Sequence, residues 1–252
     1  MNYHTASSTL TRPAWRAPAA AATSRCSNCF VRKISICAAL DAQELDALMA
    51  IARHVEVQDG EEIIAQGAPM DAVWNITSGM VRLTRLLPDG RRQIAGFMLP
   101  GDFLGLPLSA TSTYAAEAIG EVRLCRFERG RFESLMRNYP HLMRRLLDAA
   151  CAELARDQDH MVSLARHGAQ EKIAAFLLSL RNRRRALGCD DGYVALAMTR
   201  QDIADHLGLT IETVSRVLTR LSKAGLIRIE RHGVRLLSAA PLEDLALGAS
   251  ET

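Results

Sequence analysis

Residues 199–225 read TRQDIADHLGLTIETVSRVLTRLSKAG, and the fold is decided here. Thr199 is placed to cap a first helix, with Asp202 three residues on as its capping-box partner. Ile203, Ala204 and Leu207 then share one helical face. Gly208 supplies a left-handed residue that ends the helix. Thr210 caps a second helix, which runs to Gly225. Val214, Val217, Leu218 and Leu221 form its apolar stripe, and Glu212, Ser215, Arg216 and Thr219 lie opposite at spacings of three and four. Two short capped helices around a glycine turn specify a helix-turn-helix rather than an ordinary helical hairpin. The polar face of the second helix suits a DNA major groove, where Arg donates to guanine and Glu accepts from cytosine.

Working outward, residues 226–230 and 234–237 flank Arg231, His232 and Gly233 and read as a hairpin, so the motif is winged. Residues 166–235 hold 13 Lys/Arg and 7 Asp/Glu, a balance of 13 − 7 = +6 in a chain whose net charge is +3. The basic footprint therefore coincides with the proposed DNA-binding region. The run 181–185 carries four arginines, placed either on a solvated helix end or against phosphate.

The chain of 252 residues has room for two modest domains. No apolar run is long enough to span a membrane. The first 25 residues, rich in Ala, Ser, Thr and Pro, read as a disordered tail rather than a signal peptide; an organelle-targeting peptide is the alternative. Six cysteines without a secretory signal imply a reducing, cytoplasmic setting, and thus ligand or redox roles rather than disulfides. Cys26, Cys29 and Cys37 are spaced C-x2-C-x7-C, which suits zinc or an iron–sulfur cluster, and either centre needs a fourth ligand.

Between the thiols and the helix-turn-helix, residues 41–54 read as a helix capped by Asp41 and Glu44, with Leu45, Leu48, Met49 and Ala52 on its apolar side. Glycines at 60, 67, 79, 90 and 101 then punctuate short strands, the pattern of a small β-roll. In residues 121–127, period two turns Cys125 away from Val122 and Leu124, where it is available as a fourth ligand. Cys151 and Cys189 lack a close partner and read as ordinary thiols. Residues 140–164 read as one long helix. Met143, Leu147, Ala150, Leu154, Asp157, Met161 and Leu164 are spaced 4, 3, 4, 3, 4, 3, a coiled-coil seam. The other possibility is a core-facing stripe in a monomer. Asp157 is the odd member, since two carboxylates meeting near a dimer axis weaken association. Arg166, His167 and Gly168 read as a hinge before a helix over 169–187.

An α+β chain of cyclic-nucleotide-binding-like roll, long dimerisation helix and C-terminal winged helix-turn-helix resembles the Crp/Fnr family of bacterial transcription regulators. The likeness spans roughly residues 26–240. Residues 99–105, LPGDFLG, look like the family's PGDFxG turn, and residues 212–216, ETVSR, look like the recognition motif of its Fnr branch. The cyclic-AMP branch has Gly before that Arg and usually Arg before the Glu, where this chain has Ser215 and Ile211. Cyclic-AMP binders also carry Glu after the turn and an Arg-Ser pair beyond it. Here Leu106 follows Gly105, and residues 106–120 contain no arginine. A cyclic phosphate needs a cation or a nest of amides, so no cyclic AMP is expected.

Cys26, Cys29, Cys37 and Cys125 match the four ligands of the oxygen-sensing fumarate and nitrate reduction regulators. Their spacing resembles the alphaproteobacterial form, and Asp157 matches that branch's acidic dimer-helix residue. The resemblance implies an oxygen-responsive activator, not an enzyme, that dimerises when it holds a [4Fe–4S] cluster. It would act with RNA polymerase at a palindrome TTGAT-N4-ATCAA. Glu212, Ser215 and Arg216 would read the half-site, with Thr199, Thr210, Thr219 and Arg220 also at the DNA and the basic wing on phosphates. The implied organisation is a tail (1–25), a cluster segment and roll (26–140), a dimer helix (141–166), a DNA-binding domain (167–240) and a C-terminal tail (241–252). A zinc- or thiol-switched family member is one alternative. A cysteine-dependent redox enzyme is another, requiring a base beside a thiolate; His54, His141, His160 and His206 bear no sequence relation to the cysteines.

Overall fold

The computed structural model describes Cys26, residues 29–105 and residues 110–248. The expected N-terminal tail and Leu106 lie outside the described residues. A 3₁₀ turn over Ile36–Ala39 leads into α1 (Ala42–Ile51). The capping box forms as expected: Asp41 Oδ1 accepts from the Glu44 amide at 2.9 Å, and Glu44 Oε2 accepts from the Asp41 amide at 3.0 Å. The helix does not reach His54. Ala52–Val57 instead form strand β1, pairing residue for residue with β6 (Ala115–Glu128). Cross-strand pairing here overrides local helical periodicity.

The roll is completed by β2 (Glu62–Ile64), β3 (Ala72–Leu86), β4 (Arg92–Met98) and β5 (Phe103–Leu104). Its antiparallel order is β1-β6-β3-β4, with β2 beside β6 and β5 beside β3. Two strands expected on either side of Gly79 are in fact one, β3. Gly79 is a bulge within it, at φ +88°, where a Cβ would lie 2.5 Å from the Glu121 carbonyl oxygen. Period two sorts the sheet faces. Trp74, Ile76, Val122 and Leu124 pack inside the roll, while Val73, Cys125 and Phe127 pack outward under Leu45, Leu48, α2 (Arg129–Asn138) and α3 (Pro140–Arg166).

The second domain follows a break at His167 and Gly168. It comprises α4 (Ala169–Ala186), β7 (Tyr193–Ala195), α5 (Arg200–Leu207), α6 (Ile211–Lys223), β8 (Ile227–Glu230), β9 (Gly233–Leu236) and α7 (Ala240–Ala246). The wing is the hairpin β8–β9, extended by β7 to the order β7-β9-β8. Residues 241–248 are no tail. Leu242 of α7 is fully buried in the same core as Ile173 and Leu177 of α4, and Leu245 and Ala246 pack against it. A helix of seven residues, about two turns, with a proline near its start and three core contacts, is too short to announce itself by periodicity.

On α3 the seam residues are not core. Met143, Leu147, Leu154, Asp157, Met161 and Leu164 are exposed, with Leu147 61% and Leu154 56% accessible, and Ala150 is half-buried. The helix buries Leu142, Leu146 and Ser163 instead. A row of exposed large apolar side chains at heptad spacing is a surface that lacks its partner in a single chain.

The two domains share one core. Met80, Ile94, Phe97 and Ile119 of the roll pack with Ile203, Ala204 and Leu207 of α5. Asp202 is at its polar edge. It accepts from Arg92 Nη2 at 2.9 Å, faces Arg82 at 3.4 Å, and keeps its capping bond to the Thr199 amide at 3.0 Å. Burial opposes its ionisation, but the Thr199 hydroxyl and amide, with Arg82 and Arg92, outweigh that and hold the carboxyl below its usual range. Arg92 also binds Asp205 at 2.8 Å, and Gln93 donates to the Asp205 carbonyl at 2.7 Å.

Beside them His206 donates from Nδ1 to the Ile94 carbonyl at 3.3 Å, stacks on His160 of α3 at 4.1 Å and meets Phe97 edge-on. Burial, with the neighbouring His160, pushes its imidazole down to about 4. A base whose folded pKa is depressed gives stability that is complete above its unfolded value and lost as pH falls towards its folded value. We expect domain docking to weaken between about pH 6.5 and 4, by on the order of 3 kcal/mol in total. Thermal melts of the native protein and His206→Gln across that window check this; equal acid slopes in both would show that His206 does not carry it.

Candidate nucleic-acid interface and cysteine centre

The helix-turn-helix forms as its caps dictate. Thr199 Oγ1 accepts from the Asp202 amide at 3.0 Å, Gly208 sits at φ +63°, and Thr210 Oγ1 accepts from the Thr213 amide at 3.2 Å. Val214, Val217, Leu218 and Leu221 are buried, while Glu212, Arg216, Thr219 and Arg220 are exposed on the opposite face of α6 and Ser215 is half-buried. Three of these side chains are already engaged. Thr219 donates to the Ser215 carbonyl at 2.9 Å, Arg216 reaches Thr213 Oγ1 at 3.4 Å, and Ser215 Oγ accepts from Arg200 at 3.0 Å. Arg200, the first residue of α5, is therefore part of the reading face; only the fold brings it to Ser215, fifteen residues away.

Arg216 and Arg220 line a cleft with Gly168, Ala169 and Gln170 at the N-terminus of α4. Arg228, Arg231 and His232 are exposed on the wing. The arginine run does not join this surface. Arg181 pairs with Glu243, Arg184 with Asp191 and Arg185 with Asp190, and Arg183 pairs with Asp102 and donates to the Phe97 carbonyl at 2.9 Å. The run serves domain cohesion instead of phosphate contact. We expect Arg216→Ala to cost about 1–3 kcal/mol at the cognate site through loss of a bidentate guanine contact. Arg228→Ala and Arg231→Ala should weaken all sequences alike and lower the salt slope. Equal losses at cognate and scrambled DNA would remove Arg216 from base readout.

Three of the four candidate cysteines share one apolar cluster outside the roll, and Cys29 is near enough to act on them electrostatically. Cys37 and Cys125 are buried in one apolar cluster, and Cys26 packs against it. Burial raises the Cys26 thiol to about 11, with Cys37 and Cys29 adding to the rise and Arg32 opposing it. Burial also raises Cys37, against a hydrogen bond from Ser35. Cys125 is pushed well above the thiol range by burial first, then by Cys37, Cys29 and Cys26. Each thiolate charge would thus act on the others, and a cationic centre among them would relieve that cost. Among the described residues, no three His, Cys, Asp or Glu side chains stand close enough to hold a metal ion. Four thiols suit a soft metal centre by their chemistry. Cys151 is exposed on α3 and Cys189 half-buried after α4, away from this group.

One neighbour was not legible in sequence. His54 Nδ1 lies 3.6 Å from Cys125 Sγ. The cysteine segment is also tied to the long helix: Arg145 of α3 donates to the Ile34 carbonyl at 3.2 Å, and the Ile34 side chain fills the space where a Cβ on Gly101 would sit, its Cδ1 2.6 Å away.

A roll carried on a long helix with an unpartnered apolar seam, joined to a winged helix-turn-helix with an exposed reading face, defines a DNA-binding transcription regulator. Residues 54–139 match the cyclic nucleotide-binding domain, and residues 171–245 the Crp-like helix-turn-helix domain. The chain is 46% identical to the nitrogen fixation regulation protein FixK of Bradyrhizobium diazoefficiens, over 88% of this chain and 93% of that one. It is 43% identical to the transcriptional activatory protein AadR of Rhodopseudomonas palustris, over 88% and 93%. It is 37% identical to the transcriptional activator protein FnrL of Cereibacter sphaeroides, over 87% and 91%. Among solved structures, FixK2 of Bradyrhizobium japonicum superposes with a TM-score of 0.72 at 36% identity, covering 77% of this chain and 97% of that one. The chain belongs to the Crp/Fnr family of transcription regulators. No helix among the described residues is long and apolar enough to cross a membrane.

Proposed function

We propose that this activator senses oxygen, dimerising through α3 and binding a TTGAT-N4-ATCAA-like palindrome when Cys26, Cys29, Cys37 and Cys125 hold a [4Fe–4S] cluster. The observation that carries the reading is that Cys37, from the N-terminal segment, and Cys125, from a central strand, are buried in one cluster with Cys26 against it and with Leu142 and Leu146 of the helix that bears the seam. When bound, the cluster supplies an oxygen-labile link among its four sulfur ligands. The protein's own part is mechanical. The cysteine segment is bonded to α3 through Arg145 and to the turn at Gly101 through Ile34, so a shift in that segment bears on the seam. In the dimer, two copies of α6 face successive turns of a palindrome, and RNA polymerase is recruited there. Cyclic AMP is not the effector, because residues 106–120 offer no arginine for its phosphate.

The test is to purify the protein without oxygen and assay iron, sulfide, visible absorbance and oligomeric state before and after air. We expect about four irons per chain, as a cluster held by four thiolates requires, and loss of both dimer and specific DNA binding on exposure. Zinc without sulfide, and DNA binding indifferent to air, would give the site to a zinc-held regulator instead.

A further inference from the structure

We infer that His54 and Asn75 are positioning residues for the sulfur of Cys125, and that they set how fast a cluster held there is lost in air. The inference rests on the reading of the four cysteines as cluster ligands. Strands β1, β6 and β3 lie side by side, and their register places His54 opposite Cys125 and Cys125 opposite Asn75. Residues paired across antiparallel strands project to the same face, with Cβ atoms about 5 Å apart. The three side chains therefore form one row across the sheet, with Cys125 in the middle.

The two flanking groups differ in exposure. His54 faces solvent, with Nδ1 3.6 Å from Cys125 Sγ, and so stands between the buried sulfur and water. Asn75 is 1% accessible, and its buried Oδ1 has no hydrogen-bond partner. A buried amide left unpaired is costly, and strand interiors with apolar neighbours seldom keep one without a role. Its neighbours on this face, Val73, Phe103 and Phe127, offer no donor or acceptor from their side chains. The row is the polar line in an apolar wall, and the sulfur is at its centre.

A metal-bound thiolate is an acceptor. His54 has an N–H to give it from the solvent side. The Asn75 amide, turned by half a rotation, presents its NH2 on the protein side, and its oxygen serves the protonated thiol when no metal is bound. Such outer partners fix a ligand's orientation and draw charge from it. With both in place, the Cys125 sulfur is held from two sides and screened from the solvent through which oxygen arrives.

The experiment uses the full chain reconstituted without oxygen, as the native protein, His54→Ala, His54→Gln and Asn75→Leu. Iron and sulfide content, the decay of visible absorbance after a fixed dose of oxygen, and the metal–sulfur stretching frequencies are read for each. His54→Ala should load its cluster and lose it in air roughly tenfold faster, the lower end for a lost outer-shell partner. His54→Gln, which keeps an N–H donor, should fall between, and Asn75→Leu should shift the metal–sulfur frequencies. A native protein that takes up no iron and sulfide overturns the cluster reading, and the row with it. A native protein that loads, while both His54 variants decay at its rate with unchanged frequencies, overturns the row alone, even where Asn75→Leu fails to fold.

Discussion

A Cys125→Ser protein purified without oxygen should contain no iron–sulfur cluster and should show no anaerobic gain in promoter binding. Cys125 is on β6, which is paired on one side to β1 and on the other to β3. A central strand held on both edges cannot shift to bring another donor forward. The serine oxygen is a hard, weak ligand for a soft centre, and its bond to carbon is shorter, so it recedes from the cluster. Removing one ligand of four leaves an open coordination position. Cys26→Ser, Cys29→Ser and Cys37→Ser should fail in the same way. Cys151→Ser and Cys189→Ser should load as the native protein does, since neither side chain is in the cluster that holds Cys37 and Cys125. Iron and sulfide analysis with the visible spectrum decides the matter. Full occupancy in Cys125→Ser would mean that the fourth ligand is elsewhere.

The contrast between what could be read in the sequence and what could not follows the range of the interactions involved. The helix-turn-helix was legible because its determinants are local: Thr199 with Asp202, Gly208 at a left-handed position and Thr210 with the Thr213 amide all act within four residues. The outward turn of Cys125 followed from period two alone, though the face it turned to proved to be a second core, under α1, α2 and α3. Long-range contacts were hidden. Residues 52–54 read as the end of the first helix, and only pairing with β6 makes them part of a strand. Gly79 looks like a turn until Glu121 and Val122 approach its backbone. The arginines of 181–185 look like a solvated helix end or a phosphate contact until Asp102, Asp190, Asp191 and Glu243 are placed beside them. His54 looks like a helical residue and proves to be the neighbour of a candidate ligand, 71 residues away.

Asp157→Ala should dimerise and bind DNA in air, without a cluster. In the single chain the Asp157 carboxylate is exposed in line with Leu154 and Met161. Pairing two copies of α3 in parallel through this seam brings two such carboxylates together near the axis and strips part of their water. Two like charges a few ångströms apart cost on the order of 1 to a few kcal/mol at intermediate dielectric. A bias of that size is enough to hold a small interface mostly apart until an effector opposes it. The apolar side of the balance is Met143, Leu147, Leu154, Met161 and Leu164, all exposed in one chain and all on the seam that a pair would cover. The effector's side reaches α3 through Arg145 and Ile34. Removing the charge should tip the balance without the effector. Leu154→Ala, which subtracts apolar area at the neighbouring seam position, should do the reverse and leave the anaerobic protein largely monomeric, by about 2 kcal/mol of lost burial per chain. Sedimentation of the aerobic apo-protein and of the anaerobic loaded protein, each with and without the two substitutions, separates these effects. An Asp157→Ala protein as monomeric in air as its parent would remove Asp157 from the switch, and the seam would then have to be held apart by the cysteine segment alone.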